Sequence, residues 1–351
     1  MQQYQETAEA IRALSDTLPG KLLEKHFSAD PMLREKYGIR EIRHYIEDTR
    51  FHLNYLAEAV AANEPVLFNE YLGWAKVFFA GLPVTDHQVI TNLQLLRDAL
   101  LTLLPYHFGI TAAKFIDDGI EFYKKQPEIP ASCIKDDNPL GDTARTYLDY
   151  LLQGNKQDAL TLILDTLKAG TTIRDIYLNV FQVTQLETGR LWQTHAITIA
   201  QEHYITAATQ TIMSHLYPYL FSGKHRGKKV LVACTAGELH EIGARMVADL
   251  FELEGWDSYY FGANTPKESL LQEFARHSPD IIALSVTMTF NIDNLKMLIA
   301  NLRERDPGKK TKIIVGGYPF TISDKLWEKV GADGSAGDAA KALLLAEELT
   351  N

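Results

Sequence analysis

His240 is the residue whose surroundings could do chemistry. An imidazole donates to a metal only through an unprotonated ring nitrogen, and a carboxylate bonded to the other nitrogen fixes that tautomer and strengthens the donor. Glu238, in the stretch Glu238-Leu239-His240-Glu241-Ile242-Gly243, is placed to be that carboxylate. The apolar run Val230-Leu231-Val232-Ala233-Cys234 comes before it, and Met246, Val247, Leu250, Phe251 and Leu253 recur at helical spacing after it. This pattern predicts strand, loop, helix, with His240 at the carboxyl end of the strand, where open parallel α/β sheets hold their ligands. Two further strand ends carry suitable residues. Ser285-Val286-Thr287, with Thr289 just beyond, follows Ile281-Ile282-Ala283-Leu284, and Gly316-Gly317 follows Ile313-Ile314-Val315. Hydroxyls can bond a ligand, and paired glycines let one approach the backbone closely.

In order and spacing this set resembles the cobalamin-binding fingerprint D-x-H-x-x-G, S-x-L, G-G of the methionine synthase and methylmalonyl-CoA mutase class. Glu238 stands where that family has Asp, and Thr287 where it has Leu. The extra methylene still lets a carboxylate reach the imidazole. The resemblance implies that His240 binds cobalt from below and displaces the cofactor's dimethylbenzimidazole tail. That tail would enter a slot beside the sheet, lined by Ser285, Thr289 and the Gly316-Gly317 backbone, with Gly243 completing the first motif.

The elements that must position these residues form a multidomain chain. Its 351 residues are 46% apolar and carry a formal charge of −10, which disfavours direct nucleic-acid binding. Cys133 and Cys234 are its two cysteines, so neither a disulfide framework nor a cysteine-rich metal site is expected. With no membrane-length apolar run and no leader pattern from Met1 to Glu6, the expected location is cytoplasmic. Residues 1–126 read as an all-α bundle of unknown role, with helices near 2–17, 39–62, 65–80, 86–105 and 110–125. Its polar residues His44, Arg50, His52 and His87 are expected at the surface, and Trp74, Phe78 and Phe79 in the core. Prolines and charge mark 127–140 as a linker. A four-helix bundle is expected over 141–222, with helices near 141–153, 156–168, 172–191 and 197–220. After a basic connection from Lys224 to Lys229, residues 227–351 read as a flavodoxin-like (Rossmann-like) parallel five-stranded sheet. Its strands are expected near 229–234, 257–261, 280–285, 312–315 and 333–336.

Trp192, followed after nine residues by Glu202-His203, gives the second bundle its own pattern. A bundle in this position resembles the cap over the upper corrin face in methionine synthase. W-x9-E-H, together with Gly237-Glu238-Leu239-His240, resembles the cap and lower motif of CarH-type adenosylcobalamin photoreceptors over residues 140–351. The resemblance implies that Trp192 walls a hollow for the adenosyl group, that Glu202 accepts from its ribose or adenine, and that His203 anchors Glu202 or the cofactor edge. Gln193 stands where some members have a histidine that becomes an upper cobalt ligand, so His195 or His203 could take that place, or water.

The function expected from this resemblance is a cobalamin-binding light sensor, a regulator of signalling or transcription and not an enzyme. Photolysis of adenosylcobalamin would move the cap and alter contacts with a protein partner, or with another copy, through the N-terminal and cap helices. The basic DNA-binding domain of CarH has no counterpart in residues 1–125. The alternatives are a methylcobalamin-bearing corrinoid carrier for a methyltransferase, and a passive cobalamin-binding module. A radical mutase would need a substrate barrel for which the length leaves no room.

Overall fold

The computed structural model describes residues 2–221 and 225–351. Met1, Ser222 at the expected end of the cap, and Lys224 of the basic connection lie outside the described residues. The chain divides into two compact units, one ending at Ile129 and the other running from Pro130 to Asn351.

The first unit is helical: α1 (Gln2–Arg12), α2 (Leu18–Ala29), α3 (Pro31–Lys36), α4 (Ile39–Ala62), α5 (Pro65–Ala80), α6 (Asp86–Leu103) and α7 (Tyr106–Lys125). α2 and α3 occupy a stretch for which no element is expected from sequence. Pro19 and Pro31 sit in their first turns, where the missing N–H costs nothing, so these prolines start helices instead of breaking them. His44, Arg50 and His87 are exposed as expected. His52 is not. It lies on the stripe of α4 that buries Leu53 and Leu56, and its Nδ1 is 2.8 Å from the Tyr71 hydroxyl. Trp74 is exposed and stacks on Phe78, while Phe79 is buried. Burial lowers the His52 pKa to about 4. The neutral form is therefore built in: its stability is complete above pH 6.5 and is lost as pH falls towards 4, at a cost of about 3 kcal/mol. His52→Leu, followed by chemical denaturation, should flatten that acid-side loss.

The second unit begins with residues that pack onto a helical bundle. Ile134 is buried, and the Cys133 N–H donates to Glu187. The bundle comprises α8 (Gly141–Leu152), α9 (Lys156–Lys168), α10 (Ile173–Ile176), α11 (Gln182–Gln193) and α12 (Ile199–Leu216). A π turn at Tyr177–Phe181 joins α10 to α11. Such a turn loosens the hydrogen-bond ladder, and here the Asn179 carbonyl accepts from Asn138 Nδ2 at 2.9 Å, pinning the incoming segment. The first part of the expected linker therefore ends one unit, and the rest is structural in the other.

The sheet contains β1 (Lys229–Cys234), β2 (Asp257–Tyr260), β3 (Ile281–Ser285), β4 (Lys312–Gly316) and β5 (Gly334–Ala336), all parallel, in the order β2-β1-β3-β4-β5. The helices are α13 (Ile242–Leu253), α14 (Lys267–His277), α15 (Ile292–Arg305), α16 (Tyr318–Ile322), α17 (Leu326–Val330) and α18 (Ala339–Thr350). Alternate residues face one side of a strand. Val230, Val232 and Cys234 of β1, Ile281 and Ala283 of β3, and Ile314 of β4 share a core with α13 and α18. Leu231, Ala233, Ile282, Leu284, Ile313 and Val315 on the opposite face are also buried, as a two-sided parallel sheet requires. The order reverses between β1 and β3, so their carboxyl ends open a crevice at the switch point.

The helical bundle docks on α13. Ile242, Met246 and Leu250 join the apolar core of α8–α12. Polar bonds frame that contact: the Tyr177 hydroxyl donates to Asp249 at 2.8 Å, Arg174 to Glu254 at 2.7 Å, and Arg245 to the Gln210 carbonyl at 3.1 Å and Ser214 Oγ at 2.9 Å. No helix among the described residues is long and apolar enough to cross a membrane.

Candidate functional site

The loop from β1 to α13 lies at the switch point, and Glu238 organises it. Its side chain is fully buried. Oε1 faces His240 Nδ1 at 2.5 Å and accepts from the His240 backbone N–H at 3.0 Å. Oε2 accepts from the backbone N–H groups of Thr287 (2.8 Å) and Met288 (2.9 Å) and from Asn291 Nδ2 (3.3 Å). Burial alone would raise the carboxyl's pKa, but the bonds from His240 and Met288 outweigh it and hold it at about 2. The carboxylate thus orients the imidazole and also ties the loop after β1 to the loop after β3. The second task is not legible in the spacing, which points to the Thr287 side chain; the Thr287 backbone is what bonds Glu238.

His240 keeps more than half of its side chain exposed (58%), so the ring is anchored at Nδ1 but open at the mouth of the sheet. Its pKa is raised, first by the bond to Glu238 against the opposing effect of burial, then by the charges of Glu238 and Glu202. α12, which carries Glu202 in its first turn, is tied to the same loop through Gln210, whose Nε2 donates to Glu241 at 2.7 Å. Glu202 accepts from the Thr206 hydroxyl at 3.0 Å and lies 2.5 Å from His203 Nδ1. Trp192 is half-buried against the bundle's apolar core. His195 owes its left-handed backbone (φ 58°) to the end of α11: its N–H reaches the Trp192 carbonyl at 3.0 Å, and the Ala196 N–H reaches Leu191 at 2.9 Å. This is a Schellman closure, with a histidine in the place usually held by glycine.

Ser285 and Gly316 are paired across β3 and β4 and, by strand alternation, lie on the α13/α18 face. The core on that face includes Ala244 and Ala248 of α13 and Ala342 and Ala346 of α18, alongside Phe251, Trp256 and Leu343. Gly317 has φ 103°, and a Cβ on it would stand 1.9 Å from the Val286 carbonyl oxygen. Gly243, in the first turn of α13, is exposed, with nothing within 4 Å of where its Cβ would be. Thr289 is buried at the start of a 3-10 turn (Thr289–Asn291) whose last residue bonds Glu238. Among the described residues no three His, Cys, Asp or Glu side chains gather to hold a metal. One oriented imidazole suits a metal whose remaining donors come from a macrocycle, and the small paired residues Ser285 and Gly316 at the strand ends let a tail lie close to the backbone. The residues fit a corrinoid.

Sequence reasoning missed Glu241, which binds Gln210 of α12, Tyr260 and the Ala263 N–H. It also missed Asn264, whose Oδ1 accepts from the Gly237 N–H at 2.8 Å.

Comparison with known proteins agrees with this geometry. Residues 228–344 match a family described as B12 binding domain, and residues 143–217 match a second family of the same description. Over 167 residues, covering 47% of this chain and 75% of the relative, the chain is 30% identical to the dimethylamine corrinoid protein of Methanosarcina barkeri. The chain belongs to the corrinoid protein family. This corrinoid protein is also 28% identical to monomethylamine corrinoid protein 1 of the same organism, over 57% of its own length and 94% of the relative's. The solved structure of a Methanosarcina barkeri monomethylamine corrinoid protein overlays 60% of it and 99% of that chain, with 25% identity and a TM-score of 0.54. The corrinoid protein binds a cobalamin, and its helical bundle is part of the B12-binding assembly. Its relatives correct one expectation. They are methylamine corrinoid proteins, not CarH-type photoreceptors, and the light-sensor function falls with that resemblance. The first unit lies outside both family matches.

Proposed function

We propose that this chain carries a methyl group on its corrinoid for a methyltransferase partner, with methylcobalamin as the loaded cofactor and His240 as the lower axial donor. The observation that supports this most directly is the His240 imidazole, fixed at Nδ1 by a fully buried carboxylate and open at its other nitrogen, in a chain similar to methylamine corrinoid proteins. When bound, the corrinoid supplies a cobalt that accepts and releases a methyl group. The chain's residues hold and orient it. Glu238 sets the tautomer of His240. Ser285, Thr289 and the Gly316-Gly317 backbone would hold the cofactor's tail, with Thr287 contributing its peptide to the clamp on Glu238 and Gly243 leaving the approach open. The bundle would cover the cofactor's other face through Trp192, Glu202 and His203, with His195 as a further donor on that side. Methylamines are the donor class indicated by the relatives' names, and the first unit is the partner-docking element.

The test has two arms. Purified wild type should take up methylcobalamin with the absorption spectrum of histidine ligation, whereas His240→Ala should lose that spectrum and bind at least about tenfold more weakly. Deuterated mono-, di- or trimethylamine, supplied with extract of the source cells, should label the corrinoid recovered on the tagged chain. An unchanged spectrum and affinity in His240→Ala would overturn the ligand assignment. Label from none of the three amines would overturn the methylamine class.

A further inference from the structure

The carboxylate next to His240 has no part in the ligand assignment, yet distant pieces of chain converge on it. Glu241 Oε1 accepts from Gln210 Nε2 of α12 at 2.7 Å. Its Oε2 accepts from the Tyr260 hydroxyl at the end of β2 at 2.9 Å, and from the Ala263 backbone N–H at 3.1 Å. The Tyr260 hydroxyl also lies 3.3 Å from the Glu241 carbonyl. The fit is close: Gly262 has φ 77°, and a Cβ there would stand 3.3 Å from Glu241 Oε2. Glu241 is the N-cap residue of α13, the helix on which the bundle docks, and its backbone continues directly from His240. An N-cap carboxylate also lies at the end of the helix that favours negative charge. One side chain therefore fixes the histidine's loop to the bundle on one side and to the sheet on the other.

We infer that Glu241 is a positioning residue for His240, and that Gln210 makes docking of the helical bundle part of that positioning. The inference rests on His240 being the axial donor. Neither residue has to touch the cofactor. A charge-assisted bond of 2.7 Å to α12 and two bonds to the β2 end restrict the loop, and the imidazole's reach is restricted with it. Without the Gln210 bond, the loop would keep its sheet-side anchors but lose the one from the bundle.

The experiment compares wild type, Gln210→Leu, Glu241→Gln, the double variant and Ser214→Ala. The last removes a bond between α12 and Arg245 without touching Glu241. Tyr260→Phe is a milder variant that removes one sheet-side donor. Each protein is loaded with methylcobalamin in the dark, and its absorption spectrum is followed through a pH series to obtain the ratio of histidine-ligated to unligated cofactor. Denaturation of the unloaded proteins reports stability separately. Gln210→Leu and Glu241→Gln should each shift the ratio towards the unligated form by about five- to tenfold. The double variant should shift the ratio by less than the product of the two single shifts, because Gln210 and Glu241 are partners in one bond. Ser214→Ala should match wild type. A wild-type ratio in both single variants would overturn the inference, and so would an equal shift in Ser214→Ala, which would indicate general loosening of the bundle. Failure of wild type itself to take up the cofactor would be a different result, removing the corrinoid site and this inference together.

Discussion

Glu238→Gln is expected to destabilise the second unit by about 3 kcal/mol, because a buried network of five donors loses the only group that can accept from all of them. An amide accepts at one end alone. Its NH2 must face either His240 or the Thr287 and Met288 N–H groups, donor against donor, in a place that water does not reach. The ligand should suffer as well: a lost orienting partner typically costs about ten- to a hundredfold in metal affinity. The pH dependence separates this from ordinary loss of packing. The Glu238 carboxyl is held at about 2, below its ordinary 4.5, so its contribution is complete above pH 4.5 and is lost as pH falls towards 2. His240 works from the other side. Its raised pKa stabilises the fold below pH 6.5, and that part is lost as pH rises through the raised value. The stability gap between wild type and Glu238→Gln should therefore be widest between those limits and close in acid. A gap that persists unchanged at pH 2–3, measured by urea denaturation, would mean that the carboxylate's charge is not what stabilises the loop.

How legible these features are in the sequence depends on how local their causes are. The buried strands β1, β3 and β4 are continuous apolar runs, and each ends at the residue type that marks its role, so strand positions and the crevice follow directly. His240 and Glu238 are two residues apart, and their bond is likewise a local matter. Glu241 is different. Its partners Gln210 and Tyr260 lie in another helix and another strand, and no spacing rule connects a glutamine in a bundle to a loop beyond the next strand. Polarity misled in the first unit, where the position of His52 on the buried stripe of α4 was the better guide and its ionisable ring the worse one. Pro19 and Pro31 had the ambiguity every proline has, since the same ring that breaks a helix interior opens a helix. The CarH resemblance failed for another reason. The three residues Trp192, Glu202 and His203 lie at the junction of two cap helices, where the same spacing can serve a helix end packed on its own core as well as a ligand hollow.

Gly317→Ala is expected to have an effect as large as the loss of Glu238, although it adds a single methyl group far from the imidazole in sequence. At φ 103° a side chain is strained wherever it points, and this one would point at the Val286 carbonyl oxygen, 1.9 Å from its Cβ, with the Thr287 nitrogen at 3.2 Å. Backbone strain and overpacking together put the cost at about 3–5 kcal/mol. The movement that relieves the clash is also determined. The Val286 N–H is bonded to the Gly316 carbonyl at 3.0 Å, so the ends of β3 and β4 must part together, and the segment that parts carries the Thr287 and Met288 N–H groups. Those are the groups that hold Glu238 Oε2, and Glu238 Oε1 holds His240. A methyl group at position 317 should therefore be felt at the imidazole through backbone alone, as a lower denaturation midpoint in the unloaded protein and a smaller histidine-ligated fraction in the methylcobalamin-loaded one. If stability falls while the ligated fraction stays at the wild-type value, β3 and β4 separate without pulling on Glu238, and the glycine pair serves only the slot. If both fall together, the paired glycines and the histidine belong to one clamp, with the carboxylate as the link between them.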